Sequence, residues 1–362
     1  MPTMADVAKR AGVAVSTVSC ALSGTRPVSE ATRQRVLHAI AELGYHPNLL
    51  ARGLASKRTR VISLLLPALA RGLSDMQLEF VNAAAGIAGR QGYALLLWTS
   101  PDEDQEILRL TEEGLVEGLI LMEIRLQDPR VETLKALGYP FCMIGHCQDS
   151  DGISYVDFDF DQATRLCVQH LAGLGHHRIA CLVYSPVPIE MGYGPAVRSL
   201  QGLQASTAEH DMQSVARLCE ATTHAAYESM RSLVEEHPSL TGVIVTSEVL
   251  GAGAMQAIRE KTLRIPEDFS VVVITSSHLA EMMTPPLTGV ELPATEMGRI
   301  GAELLIRRLE NGDQPPTQLI LPAALTVRRS TAPEMTHQSR PGGVRRPDIC
   351  LADDLTVVPE RR

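Results

Sequence analysis

Residues 3–23 read TMADVAKRAGVAVSTVSCALS, and this stretch decides how the start of the chain folds. Thr3, with Asp6 three residues later, is a capping pair that opens a helix carrying Val7, Ala8 and Ala11 on one face. Gly12 breaks that helix. Val15, Val18 and Leu22 return at helical spacing and predict a second short helix over Val15–Leu22. Beyond this stretch, Gly24 and Pro27 punctuate the chain. Ser29 then caps a third helix that runs to Leu43, with Val36, Ile40 and Leu43 inward, and Gly44 ends it. Two short helices joined at a glycine within about 20 residues make a helix-turn-helix candidate.

The charge distribution favours reading this segment as a nucleic-acid-binding head. The 362-residue chain has a formal net charge of −9, which alone speaks against such a partner. Residues 1–60, however, carry nine Lys or Arg against three acids, a balance of +6 that leaves −15 on the remainder. Attraction to phosphates supplies most non-specific affinity for DNA, and the positive charge sits where the motif is. Aromatic residues are only 4% of the chain, with a single Trp98, so recognition by base stacking is disfavoured. The apolar fraction of 45% is enough to bury real cores. Seven scattered cysteines predict a reduced, cytoplasmic chain. Met1–Ala11 lacks the apolar core of a signal peptide, and no run approaches the ~18 apolar residues of a membrane span.

From Val61 the pattern changes to alternating strands and helices. Apolar runs at Val61–Leu66, Tyr93–Trp98, Gly118–Leu121, Phe141–Ile144, Ile179–Val183, Val243–Thr246 and Val271–Ile274 predict buried parallel strands. Leu78–Arg90 and Ala163–Leu174 are the clearest intervening helices. The expected architecture is α/β with right-handed crossovers, and residues 61–333 hold too many strands for one small sheet, which implies two similar lobes. Glu334–Arg362 is Pro-, Arg- and Asp-rich without periodicity and is expected to be a disordered tail.

The ordered series Thr3–Val13, Ser16-Thr17-Val18-Ser19, Val28–Arg33, Leu43-Gly44-Tyr45-His46-Pro47-Asn48 and Ala51-Arg52-Gly53-Leu54 strongly resembles the head of the LacI/GalR family of bacterial transcription regulators. The resemblance extends to Gln169-His170-Leu171, Leu174–Ala180, Gly253-Ala254-Met255, Pro285–Thr288 and Val327–Thr331, so it spans about residues 3–333. It implies a helix-turn-helix DNA-binding domain over residues 1–47 and a hinge helix and linker over 48–60. It further implies a two-lobed, periplasmic-binding-protein-like domain for effector binding and dimerisation over 61–333.

What the resemblance implies for the site is specific. The second helix would enter the major groove of a roughly palindromic operator, with Val15, Ser16 and Cys20 facing base edges and Thr17 and Ser19 reaching phosphates or bases. Thr3 and Arg26 join this DNA-binding set. Asn48 would cap the hinge segment, which is too short to be stable alone. Leu54 would wedge into the minor groove, and Arg52 and Lys57 would contact phosphate. Two departures from the family pattern stand out. Cys20 replaces a strong hydrogen-bonding side chain, and Ala14 replaces the usual Ser before the helix.

The effector, a sugar or sugar derivative by family default, would lie beyond the carboxyl ends of the strands. Candidate contacts there are Pro67, Glu123, Arg125, His146, Asp159, Phe160, Tyr193, Arg198, Glu248, Thr275 and Ser276. Ser247-Glu248 and Thr275-Ser276 stand where sugar-binding relatives usually carry Asn-Asp and a pair of acids. That difference leaves room for a non-sugar or phosphorylated ligand, or for a degenerate site. The implied assembly is a homodimer, with a tetramer possible, on double-stranded operator DNA and away from membranes.

No metal or cofactor is expected. Cys142, His146 and Cys147 lack a second ligand pair. Gly251-Ala252-Gly253-Ala254 lacks the third glycine of a dinucleotide loop, since Gln256 stands there. No Ser-His-Asp order marks an enzyme. His176 and His177 are expected to be structural. A solute-binding protein, the other reading of an α/β two-lobed chain, would carry a leader and no basic head.

Overall fold

Thr3 and Asp6 form a reciprocal cap at the start of the chain: Asp6 N–H donates to Thr3 Oγ1 at 3.3 Å, and the Thr3 N–H donates to the Asp6 carboxylate at 2.8 Å. They open α1 (Met4–Ala11), which ends at Gly12 in the left-handed conformation, φ 65°. α2 (Val15–Ser23) follows. α3 (Glu30–Leu43) begins under the Ser29 cap and ends at Gly44. Val7, Val18 and Val36 meet with no exposure, with Ala8, Ala11, Ala39 and Tyr45 around them. Ile40 and Leu43, expected inward, pack at the margin of this core. Gly44 is left-handed there, and the Tyr45 N–H donates to the Ile40 carbonyl at 3.0 Å, with Tyr45 buried in the same core.

This computed structural model describes residues 2–23, 26–45, 58–67, 72–100, 107, 109, 111, 112, 114–312 and 314–334. The chain divides into two compact units, Met1–Arg60 and Val61–Arg362. The expected hinge helix and most of the tail lie outside the described residues. No helix among the described residues is long and apolar enough to cross a membrane.

The second unit opens with β1 (Val61–Pro67), α4 (Asp75–Arg90), β2 (Ala94–Ser100), β3 (Gly118–Leu121), α5 (Pro129–Leu137), β4 (Phe141–Ile144) and β5 (Tyr155–Phe158). Then come α6 (Phe160–Gly173), β6 (Arg178–Tyr184), α7 (Gly194–Glu209), β7 (Gln213–Cys219), α8 (Thr223–Glu236), β8 (Gly242–Val245), α9 (Glu248–Glu260), β9 (Ser270–Thr275), α10 (Ser277–Met282) and β10 (Thr288–Glu291). α11 (Ala294–Asn311), β11 (Gln318–Leu321) and β12 (Leu325–Thr326) complete it. The first sheet has the order β11-β5-β4-β3-β1-β2 and is parallel throughout; the second has the order β12-β10-β9-β8-β6-β7, with only β12 antiparallel. The chain therefore crosses between sheets after β5, after β10 and again after β11. Central strands are apolar on both faces because helices cover both: Leu64 of β1 lies between Leu97 and Ile120 and is fully buried.

Two sequence landmarks gain physical reasons. Gly253 lies where α9 crosses α8 so closely that a Cβ would overlap the Thr223 carbonyl oxygen. The Gly-Ala run is thus a packing device. The Val327–Thr331 stretch is stitched to the second sheet: Ser330 Oγ donates to the Val271 carbonyl at 2.5 Å, and His170 Nε2 meets Thr331 Oγ1 at 2.9 Å.

His176 completes that seam. Its Nδ1 meets Thr241 Oγ1 at 2.8 Å, and its Nε2 meets Ser270 Oγ at 3.0 Å and the Ala332 carbonyl at 3.1 Å. Burial holds its pKa below the usual 6.5, against the opposing hydrogen bond to Ala332. The folded chain therefore favours the neutral ring, and the stability it contributes is whole above about pH 6.5 and lost as pH falls below that value. Denaturant titrations between pH 7.5 and 5.5 are expected to show a steeper acid-side loss in the wild type than in His176→Gln. The difference should be at most about 1.4 kcal/mol per pH unit. Equal slopes would remove His176 from this role.

Candidate functional site

The first candidate surface lies on the N-terminal unit. Val18 is fully buried and anchors α2, which turns the start of the helix outward. Val15 is 46% exposed, Ser16 is exposed, and Thr17, Ser19 and Cys20 are partly exposed. This face carries no acid, while Lys9, Arg10, Arg26, Arg33 and Arg35 stand exposed on the same unit. A neutral, polar helix start within a basic surround can approach an anionic duplex without repulsion. The Thr3 hydroxyl is engaged with the Asp6 carboxylate at 2.7 Å, so its immediate role is the cap. Asn48, Arg52, Leu54 and Lys57 lie outside the described residues.

The second candidate is a cavity of about 380 Å³ in the second unit, walled by both sheets. Its lining falls at strand carboxyl ends: Met122 after β3, Ile144 and Asp157 at the ends of β4 and β5, Glu220 after β7, Thr246 after β8 and Leu292 after β10. Phe80, Phe160, Tyr184 and Tyr193 give it aromatic walls. Of the eleven residues expected at this site, Glu123, Phe160, Tyr193 and Glu248 line the cavity.

Most of the others stand behind the wall and hold it. His146 Nδ1 meets Asp157 Oδ2 at 2.6 Å. Arg198 donates to the His146 carbonyl at 2.9 Å and lies 3.8 Å from the Asp157 carboxylate. Thr275 Oγ1 donates to Glu248 Oε2 at 3.2 Å. The Ser276 hydroxyl donates to Glu79 Oε1 at 2.7 Å. Asp159 caps α6 by accepting the Gln162 N–H at 2.9 Å. Arg125 forms a backbone bridge with Tyr193. Pro67 closes β1, and its side chain lies outside the described residues.

Asp157, Gln77, Ser199 and Glu220 line the cavity and were not singled out from sequence. Asp157 had a usable signal: an acid set inside the apolar run of β5, near its carboxyl end. Gln77 had one only as the third residue of a helix cap.

Glu123 is the most constrained side chain of the site. Its backbone has φ 55°, the left-handed region that costs an ordinary L-residue roughly 1–2 kcal/mol. The buried Arg130 holds it there, donating to the Met122 and Glu123 carbonyls at 3.1 Å each. Arg130 also forks onto Asp128 at 2.7 and 2.9 Å. Burial works against the Asp128 charge, but the Arg130 hydrogen bond and charge win and keep its carboxyl below the usual value. Gln77 donates to Glu123 Oε1 at 2.9 Å. Burial pushes the Glu123 carboxyl up, with the Tyr193 hydroxyl, the Gln77 amide and the Arg130 charge pulling back. Burial likewise pushes Glu248 up, reinforced by Asp75 and Glu79. Such paired, strained and half-satisfied carboxylates in a concave site mark a place built for a ligand.

Among the described residues, no group of three or more His, Cys, Asp and Glu side chains converges to hold a metal ion. The Cys142 thiol is buried and points at the Gly301 carbonyl, 3.1 Å away.

Comparison with known proteins places both units. A family model described as bacterial regulatory proteins, lacI family, matches residues 3–48, and one described as periplasmic binding protein-like domain matches residues 168–331. The HTH-type transcriptional regulator CelR of Thermobifida fusca is 32% identical over 339 residues, 91% of this chain and 98% of CelR. The HTH-type transcriptional regulator AglR of Rhizobium meliloti (strain 1021) is 33% identical over 345 residues, 91% of this chain and 94% of AglR. The crystal structure of the lac repressor dimer bound to operator and the anti-inducer ONPF aligns at 26% identity with a TM-score of 0.79, covering 91% of this chain and 99% of that one. The CelR–cellobiose complex aligns at 29% identity with a TM-score of 0.69, covering 91% and 100%.

Proposed function

The chain belongs to the LacI family of bacterial transcriptional regulators, and from that premise we propose that it is a repressor whose operator affinity is set by a small molecule held between the two sheets of its second unit. The observation that carries this reading is the pairing of parts in one chain. A helix start free of acids stands on a +6 head, and the same chain holds a 380 Å³ cavity with carboxylates at strand carboxyl ends.

In this reading Val15, Ser16 and Cys20 face base edges, and Thr17, Ser19 and Arg26 reach phosphates or bases. Thr3 holds the first helix for them. The protein acts in the cytoplasm as a homodimer, one head per half-site, with residues 1–47 as the head, 48–60 as the hinge and 61–333 as the sensing domain. Glu123, Asp157, Tyr193 and Glu248 contact the effector, supported by His146, Arg198, Thr275 and Ser276. A polyhydroxyl effector suits carboxylates that accept paired hydroxyl hydrogen bonds between aromatic walls. CelR in complex with cellobiose is a relative that binds such a molecule.

Leu54 is the proposed minor-groove wedge, flanked by Arg52 and Lys57 on phosphate and opened by Asn48. Leu54→Ala is expected to weaken binding to the specific site by about ten-fold or more, while binding to random DNA stays unchanged. Mobility-shift titrations on the DNA upstream of its own locus, with a scrambled competitor, read both. Equal losses on the two DNAs would sink the wedge, and no binding to any upstream site would sink the repressor reading.

A further inference from the structure

We infer that the cavity takes a ligand bearing a positive charge, an amine on a polar frame, in preference to a neutral or phosphorylated one. The inference rests on the reading of this cavity as the effector site and specifies its chemistry.

Four carboxylates line the cavity, from Glu123, Asp157, Glu220 and Glu248, and its lining among the described residues includes no Lys, Arg or His. Asp157 is matched from behind by His146 and Arg198. Glu123 and Glu248 are not matched in this way. Arg130, the cation that Glu123 senses, is locked in its fork with Asp128. The charges acting on Glu248 come from Asp75 and Glu79, both of its own sign. Glu248 Oε1 is buried from solvent with no hydrogen-bond partner among the described residues, and the side chains that hydrogen-bond to Glu123, Gln77 and Tyr193, are neutral donors.

A sugar hydroxyl can satisfy the lone pairs of such an oxygen but leaves its charge uncompensated. An ammonium group satisfies both, through a charge-assisted hydrogen bond. A phosphate would add like charge to the cluster. Phe160, Tyr184 and Tyr193 in the same wall offer ring surface that favours a cation. Burial pushes both glutamates up, and a cation beside them pulls them down. Binding therefore releases protons and tightens as pH rises through the raised range of these carboxyls.

The test uses three disaccharides on one β-1,4 frame that differ at C2: cellobiose, the chitosan dimer with free amines, and diacetylchitobiose with the amines blocked. Calorimetric titration and thermal shift are run on the full chain, on the wild type and on a Glu123→Gln/Glu248→Gln variant. The free amine is expected to bind about ten-fold tighter than either neutral frame, and the double variant to erase that advantage. An amine that binds no tighter than cellobiose, or not at all, overturns the inference. So does an advantage that persists in the double variant, which would take the amine away from Glu123 and Glu248. Cellobiose that binds and alters operator affinity while the amine does neither overturns this inference and leaves the regulator reading standing. Amine-selective binding in a chain that holds no operator DNA supports the inference and counts against the regulator reading.

Discussion

Arg130→Ala is expected to cost the second unit about 3–5 kcal/mol, the loss that follows when one partner of a buried ion pair is removed. Arg130 is 1% exposed and Asp128 3%, so water cannot replace the missing guanidinium. The substitution strands the Asp128 carboxylate and frees the Met122 and Glu123 carbonyls together. It also removes what holds Glu123 at φ 55°, so the cleft should lose ligand affinity even at temperatures where the variant is folded. Asp128→Asn/Arg130→Met keeps a side-chain acceptor for one of the two backbone N–H groups that Asp128 serves, at positions 125 and 130, and leaves no stranded charge. It is expected to lose clearly less than Arg130→Ala alone. Denaturant melts of the three proteins check this; a loss below about 1 kcal/mol for Arg130→Ala would show that the fork contributes little.

Removing residues 1–60 is expected to abolish operator binding while ligand binding by the remainder is retained. The chain divides at Arg60, and the three valines that anchor the head core all lie before that boundary. The truncated chain loses the helix start of α2 and keeps a balance of −15, which repels phosphate. Specific affinities of such proteins lie at roughly 10⁻⁸–10⁻¹¹ M, so the loss spans several orders of magnitude. Fluorescence anisotropy on upstream DNA reads the first outcome, and thermal shift with cellobiose and the chitosan dimer reads the second. Operator binding by residues 61–362 alone would move the DNA-reading surface off the head.

The head was legible in the sequence nearly to the residue because its signals are local. Thr3 with Asp6, Gly12, Ser29 and Gly44 each act within one turn of helix, and each does what its chemistry dictates. Most of the seven expected strands were legible as apolar runs because helices bury both faces of their sheets; β2, an edge strand with Leu97 exposed, was legible from its leucine run alone. β5, β7, β10, β11 and β12 were missed because none of them is a long, unbroken apolar run: β10 is the four residues Thr288–Glu291, with Gly289 inside it. β7 and β11 are edge strands with exposed or polar residues, β12 has two residues, and β5 carries Asp157 inside its run.

The cavity was legible only in part. Expectation fell on Asp159, but β5 ends at Phe158 and the chain turns there, so Asp159 caps α6 while Asp157, still on the strand, lines the wall. Thr275, Ser276, His146 and Arg198 are in the right loops, but pairings across the fold turn them onto Glu248, Glu79, Asp157 and the His146 carbonyl. Separations such as Glu79 to Ser276 cannot be read from local pattern. The Arg130–Asp128 fork sits two residues apart in sequence and gives no motif; only burial reveals what it holds.

Cavity occupancy and operator binding are coupled in the proposed repressor, and a linked titration measures that coupling. Operator affinity of the full chain is measured with and without saturating ligand at fixed salt, and ligand affinity is measured with and without saturating operator. The same factor is expected in both directions, on the order of 5–150-fold, because linkage is reciprocal. A ligand that binds in the cavity and leaves operator affinity unchanged would contradict it.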